Sequence, residues 1–279
     1  MAFTAAGGIT VHYDLTGPSN APVVLFANSI GTNFHIWDEQ VKALGGRIRT
    51  LRYDMRGHGL TDATQGAYSM DMLADDAVCL LDALGIDQAH VCGLSIGGMM
   101  AQRLAVKKPD RVLSLVLAGT ASVIGPPEIW QSRIEAIRTR GMASIAAGVM
   151  PSWFTSAFLE RETERVRGYV NMVARTSDAG YIGCAMAIRD ADLRSDCARI
   201  ACPTLVVVGK QDQATALPQA EALTHAISNA QLRIIGGAGH LPCVEQPAAF
   251  TDAVFNHLQT IGVVAPKEAL RGNRIWHAP

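Results

Sequence analysis

The chain has 279 residues, 49% of them hydrophobic and 18% charged, which supplies a sizeable core and excludes a disordered polypeptide. Lys plus Arg number 24 against 25 Asp plus Glu, and a formal net charge of −1 argues against a role in holding nucleic acid or an anionic membrane surface. No apolar run approaches the roughly 18 residues of a membrane span, and the start, MAFTAAGGITVHYD, lacks the basic and apolar stretches of a secretory signal, so a soluble cytoplasmic protein is expected.

In chain order, Val23 to Phe26, Ile48 to Tyr53, His90 to Gly93 and Leu113 to Leu117 read as buried strands, with His12 in or beside another. Helical spacing of apolar residues predicts helices over Asp71 to Leu84 and from Gly98 to Val106. Continuous apolar strands separated by helices imply a mostly parallel sheet flanked by helices on both faces, an α/β fold. The alternation stops over 122–196, where helix-like, Arg-rich and aromatic segments carry no clear strand, and resumes with Thr204 to Val208, a helix near Gln219 to Ile227, Leu232 to Ile235 and a last helix from Ala248 to Leu258. The expected organisation is a core of 1–121 and 197–262, an inserted helical cap of 122–196 and a C-terminal tail of 263–279. Six cysteines without a CxxC pair (Cys79, Cys92, Cys184, Cys197, Cys202, Cys243) read as reduced, mostly buried thiols.

Gly93-Leu94-Ser95-Ile96-Gly97-Gly98 lies directly after a strand and before a helix, the context that a strained nucleophile turn requires. Gly93 and Gly97 leave room for the turn, and Ser95 stands at a helix N-terminus, where developing negative charge is favoured. A Gly-rich turn packing a helix on a strand is the plainer alternative. A serine hydroxyl needs a base, and in this chain order the acid and then the histidine follow in loops after later strands. Asp212, in Gly209-Lys210-Gln211-Asp212, and His240, in Gly236-Gly237-Ala238-Gly239-His240, meet that requirement at the same carboxyl edge as Ser95. His35 and His58 also sit in loops at this edge; the turn Tyr53-Asp54-Met55-Arg56-Gly57-His58-Gly59 reads as architecture, with Asp54 and Arg56 satisfying loop backbone or each other. His225, His257 and His277 read as surface positions. The backbone N–H groups of Ile96 and of Ile30, in Ala27-Asn28-Ser29-Ile30-Gly31-Thr32, are the candidate oxyanion donors, with Ser29 as the fallback to Ile30.

These residues resemble the α/β-hydrolase superfamily and, within it, the 3-oxoadipate enol-lactonase family. The resemblance runs through Asn28-Ser29-Ile30-Gly31-Thr32, Trp37-Asp38, Leu51-Arg52-Tyr53-Asp54, Arg56-Gly57-His58-Gly59 and Gly93-Leu94-Ser95. It continues through Trp153-Phe154-Thr155, Gly180-Tyr181 and Arg189-Asp190-Ala191-Asp192 to Phe250 to Leu258. It implies the α/β-hydrolase fold and hydrolysis of 3-oxoadipate enol-lactone, a step of the β-ketoadipate route of aromatic catabolism, without metal or organic cofactor, by a monomer or homo-oligomer. A substrate bearing a carboxylate needs a cation or donors under the cap. Arg133, Arg189 and Arg194 are candidates, with Asn28 and Ser29 as further substrate-binding positions and Trp130, Trp153 and Tyr181 as pocket walls. A general carboxylesterase or carbon–carbon-bond hydrolase with the same triad, and a receptor that kept the fold, are the rival expectations.

Overall fold

The computed structural model describes residues 2–265; the rest of the expected tail, with His277, lies outside them. Among the described residues eight strands form one sheet in the order β1-β2-β4-β3-β5-β6-β7-β8. The chain begins with β1 (Ala2–Ala6), β2 (Ile9–Thr16), β3 (Val23–Ala27), helix α1 (Asp38–Leu44), β4 (Arg49–Tyr53), α2 (Met70–Ala83), β5 (Ala89–Leu94), α3 (Ile96–Lys107) and β6 (Val112–Ala118). Seven helices follow before the next strand: α4 (Pro127–Arg140), α5 (Ala143–Ala146), α6 (Met150–Trp153), α7 (Ser156–Arg161), α8 (Thr163–Ala174), α9 (Asp178–Asp190) and α10 (Arg194–Cys197). The sheet then closes with β7 (Thr204–Gly209), α11 (Leu217–Ala226), β8 (Ala230–Ile235), α12 (Pro242–Glu245) and α13 (Pro247–Thr260). No helix among the described residues is long and apolar enough to cross a membrane.

From β4 to β8 every neighbouring pair is parallel. β3, β5 and β7 are buried at every position, as strands covered on both faces must be, and that is why they stand out in the sequence as unbroken apolar runs. The N-terminal hairpin does not. β1 and β2 pair antiparallel, and β1 alternates exposed and covered positions because it forms one edge of the sheet. The strand signal there is alternation around the Gly7-Gly8 turn, whose residues sit at φ 59° and 78°, the geometry of a tight hairpin. α2 starts one residue earlier than its apolar spacing suggests because the Ser69 side chain caps the Met72 N–H (3.1 Å).

His257, expected at the surface, is buried on α13, with its Nε2 unpartnered. His90 is buried on β5, where its Nδ1 lies 2.8 Å from Ser114 Oγ. Burial pushes the His90 pKa down to about 4, with nearby His257 adding to the effect, and burial lowers His257 as well. Both rings therefore fold neutral. Their contribution is complete above the unfolded pKa of about 6.5 and is lost as pH falls from there, as the unfolded chain takes up protons the fold refuses. Between pH 7 and pH 5, His90 alone should cost on the order of 2 kcal/mol of stability. Urea unfolding at the two pH values checks this, and His90→Gln should shrink the difference.

Candidate active site

Ser95 occupies the single residue between β5 and α3, at φ 58° and ψ −119°, and is the one non-glycine residue with positive φ among those described. Such a conformation costs of order 1–3 kcal/mol and persists only where its surroundings impose it. Here Ser95 N–H donates to Ala118 O (2.9 Å), and Thr120 Oγ1 donates to Ser95 O (2.8 Å). The flanking backbones close in from both sides. A Cβ on Gly93 would lie 2.2 Å from Gly97 O, and one on Gly97 2.4 Å from Ala27 O.

Asp212 follows the end of β7, and His240 lies between β8 and α12. The structure brings them together, with His240 Nδ1 3.0 Å from Asp212 Oδ2. Asp212 Oδ1 accepts the N–H groups of Ala214 (2.8 Å) and Thr215 (2.9 Å), and Thr215 Oγ1 donates to Oδ2 (2.8 Å). Burial pushes the Asp212 carboxyl upward, but the His240 charge and the bonds from His240 and Thr215 outweigh it, leaving the group below its usual range. A carboxylate facing Nδ1 fixes the imidazole proton there, so Nε2 is the nitrogen left to act as a base. Ser95 and His240 line one cavity of about 170 Å³.

The other histidines at this edge are otherwise engaged. His35 is exposed beside Asp38 (3.1 Å), and His58 Nε2 accepts the Gly31 N–H (2.8 Å). The turn around His58 differs in one respect from its expected role: Asp54 does accept loop backbone, from Phe34 N–H and Leu60 N–H, but Arg56 pairs with Asp76 of α2 rather than with Asp54 (2.7 Å).

Ile30, Ser29, Trp130, Arg133 and Trp153 line the cavity. Ile96 opens α3, where an N–H has no partner in a preceding turn and is available to an anion. The Ser29 hydroxyl is buried without a partner, whereas Asn28 Nδ2 turns into its own loop to donate to Thr32 O (3.2 Å). Tyr181 stands behind the lining, 3.3 Å from where a Cβ on Gly31 would be. The three arginines separate clearly. Arg189 is bound to Asp190 (2.7 Å) and Gln131 (2.7 Å) and does not line the cavity. Arg194 is likewise paired with Asp192 and lies outside it. Arg133 stacks over Trp130 (5.0 Å), has no carboxylate partner among the described residues, and is the one side chain with a permanent charge in the lining.

Two buried residues central to the geometry are absent from the sequence reading. Thr215 bridges Asp212 and His240, and its position three residues after an aspartate is the spacing of a side-chain-capped turn. Glu245 accepts Thr155 N–H (3.0 Å) and Oγ1–H (2.7 Å) through one oxygen and Gly239 N–H through the other, and no local pattern announces a contact across 90 residues.

Residues 22–141 match the family model described as alpha/beta hydrolase fold. A 3-oxoadipate enol-lactonase of Acinetobacter baylyi is 36% identical over 249 residues, covering 89% of this chain and 93% of the relative. A second from the same organism is 33% identical, covering 94% of this chain and 97% of its own. Among solved structures, an enol-lactonase from Burkholderia xenovorans LB400 superposes with a TM-score of 0.90 at 37% identity, over 92% of this chain and all (100%) of that one. A hydrolase from Pseudomonas aeruginosa PA01 does so with 0.88 at 41% identity, over 92% and 97%.

The glycine contacts at the Ser95 turn yield a stability test. Gly97→Ala sets a methyl against the backbone of β3 and should lower the unfolding free energy by about 1–3 kcal/mol in urea denaturation. Gly168→Ala, on α8 with open space around its Cβ position, should be neutral or stabilising by up to about 1 kcal/mol.

Proposed function

The chain belongs to the alpha/beta hydrolase family, and from that premise we propose that it hydrolyses 3-oxoadipate enol-lactone to 3-oxoadipate through a Ser95–His240–Asp212 triad. The observation that carries this reading is one small cavity holding Ser95, an Asp212-backed His240 and the uncompensated cation of Arg133. Its volume, about 170 Å³, is below the roughly 300–1,000 Å³ of sites for drug-sized molecules and suits a compact lactone acid. The names of the most similar relatives agree with that choice.

In the proposed reaction Ser95 Oγ attacks the ring carbonyl while His240 Nε2 takes its proton. Asp212 holds the imidazole's tautomer and stabilises the cation that forms. The tetrahedral oxyanion sits against the N–H groups of Ile30 and Ile96, and one such donor is typically worth about 3 kcal/mol of barrier. Collapse breaks the ring C–O bond, and the imidazolium returns its proton to the departing enolate oxygen. The leaving group remains tethered through the acyl chain. Water, deprotonated by His240, then attacks the acyl-enzyme, and Ser95 takes back its proton as the acid is released. The freed enol ketonises, which draws ring opening to completion. Arg133 receives the substrate's remote carboxylate, with Ser29 Oγ as an adjoining donor and Trp130 and Trp153 as walls. This chemistry would place the chain in the β-ketoadipate route.

Steady-state assay of the enol-lactone, followed by loss of its enol-ester ultraviolet absorbance, tests the proposal. Ser95→Ala should abolish turnover in a folded protein, and appreciable residual rate refutes the nucleophile. Loss of a charge-assisted contact worth about 1.5–3 kcal/mol should make Arg133→Gln raise KM for the lactone acid roughly 10- to 100-fold while barely changing KM for a neutral ester. Equal changes remove Arg133 from the site. Comparable kcat/KM on p-nitrophenyl esters would replace the lactonase reading with a general esterase.

A further inference from the structure

We propose that His58, outside the triad, is a positioning residue that sets the oxyanion loop by accepting the Gly31 amide hydrogen. This rests on the hydrolytic reading above, with Ile30 N–H as a donor to the oxyanion. The turn after β4 and the loop after β3 lie side by side at the carboxyl edge of the sheet. His58 is buried between them, with Nε2 2.8 Å from Gly31 N and Nδ1 3.2 Å from Arg56 O. A backbone N–H can only donate, so Nε2 is unprotonated and the ring hydrogen is on Nδ1, directed to the Arg56 carbonyl. Burial lowers the His58 pKa, against upward pulls from the Arg56 carbonyl and Asp54, and so favours the neutral ring that this bond requires.

The loop needs such a tether. Its own bonds run inward, from Thr32 N–H (3.2 Å) and Thr32 Oγ1 (2.7 Å) to Ser29 O, and from Asn28 Nδ2 to Thr32 O. Gly31 sits at φ 76°, a conformation from which glycine can readily turn its flanking peptides. Fixing the Gly31 N–H fixes the peptide that joins it to Ile30, one residue from the proposed oxyanion donor. The other end of the tether is rigid. His58 N–H donates to Met55 O (2.8 Å), Thr61 N–H to His58 O (3.0 Å), and Arg56 is paired with Asp76 of α2. Gly57 lies against the backbone of α9, where a Cβ on it would be 2.2 Å from Gly180 Cα. The oxyanion loop, α2 and α9 are thus referred to one frame, and His58 is the link to the Gly31 amide.

Two substitutions separate a positioning role from mere packing. His58→Leu fills the space without an acceptor, whereas His58→Gln keeps an acceptor, its amide oxygen, within reach of the Gly31 N–H. Losing a whole oxyanion donor costs about 100- to 1,000-fold in kcat, so a donor left in place but poorly aimed should cost roughly 10- to 100-fold. His58→Leu should show that fall with KM within about threefold, and His58→Gln should recover most of it. In parallel, hydrogen exchange at the Gly31 amide should be slow in wild type and in His58→Gln but fast in His58→Leu. Unchanged kcat in a folded His58→Leu protein, or unchanged Gly31 exchange, overturns the proposal. Should that variant fail to fold, the imidazole ¹⁵N spectrum of the wild type decides: a protonated Nε2 overturns the proposal, and an unprotonated, hydrogen-bonded Nε2 together with an active His58→Gln supports it. The kinetics are run on p-nitrophenyl acetate as well as the lactone. A wild type that cleaves only the simple ester refutes the lactone reading and leaves the His58 comparison valid; one that cleaves neither overturns both.

Discussion

The site depends on a strained backbone at Ser95 that the sheet cannot relax. One residue separates β5 from α3, and the chain reverses through it at a positive φ that a side chain disfavours. Relaxing that turn would require Gly93 to move away from Gly97, or Gly97 from Ala27, and these backbones already pack without room for a methyl group. The strain is thus held by close packing and by the Ala118 and Thr120 bonds from the neighbouring β6 edge. The same approach brings the start of α3 against the loop after β3, so one constraint sets both the hydroxyl and the two candidate oxyanion amides. Catalytic preorganisation here would be a property of main-chain packing before any side chain is considered.

The inserted helices take part in the site's construction. Trp153 O accepts the N–H groups of both His240 (2.9 Å) and Leu241 (3.3 Å), and Glu245 ties the next residues of the insertion to Gly239. The imidazole is therefore held by Asp212 through its ring and by the insertion through its backbone. Trp153 simultaneously walls the cavity, so the position of the His240 imidazole and the size of the cavity are mechanically joined. A change that shifts α6 would be felt as an altered imidazole position as well as an altered cavity.

The parts of this arrangement that could be read in the sequence are those with short-range signatures. Fully buried strands such as Val23–Ala27 and Thr204–Gly209 leave unbroken apolar runs, and Ser95 and Asp212 each follow such a strand, whereas His240 follows the largely exposed β8 and is marked instead by its glycine-rich loop. The half-exposed β1 and β2 leave only a weak alternation, and the edge position that explains it is a tertiary fact. The arginines show the limit more sharply. Asp190 beside Arg189 and Asp192 near Arg194 are legible in the chain, but that both arginines lie outside the cavity while Arg133 lines it is a tertiary fact. His257 is a further case: it reads as a surface position on the last helix, yet its face turns inward and leaves its Nε2 buried without a partner.

A second imidazole–carboxylate pair shows why the contact alone does not make a base. His12 Nδ1 lies 2.6 Å from Asp54 Oδ2, a closer approach than that between His240 and Asp212. Asp54 also accepts two backbone N–H groups, so in ligand set it resembles Asp212. The ring of His12, however, is stacked between Phe3 and Phe34, with centroids 4.9 and 4.7 Å away, and its Nε2 is buried without a partner. The cavity that His12 lines does not contain Ser95. His240 differs in sharing a cavity with a serine held on a strained turn. A carboxylate faces either imidazole, and it is the placement of Ser95, set by the glycine contacts at the end of β5, that distinguishes the His240 pair, while the His12 pair joins β2 to the turn after β4.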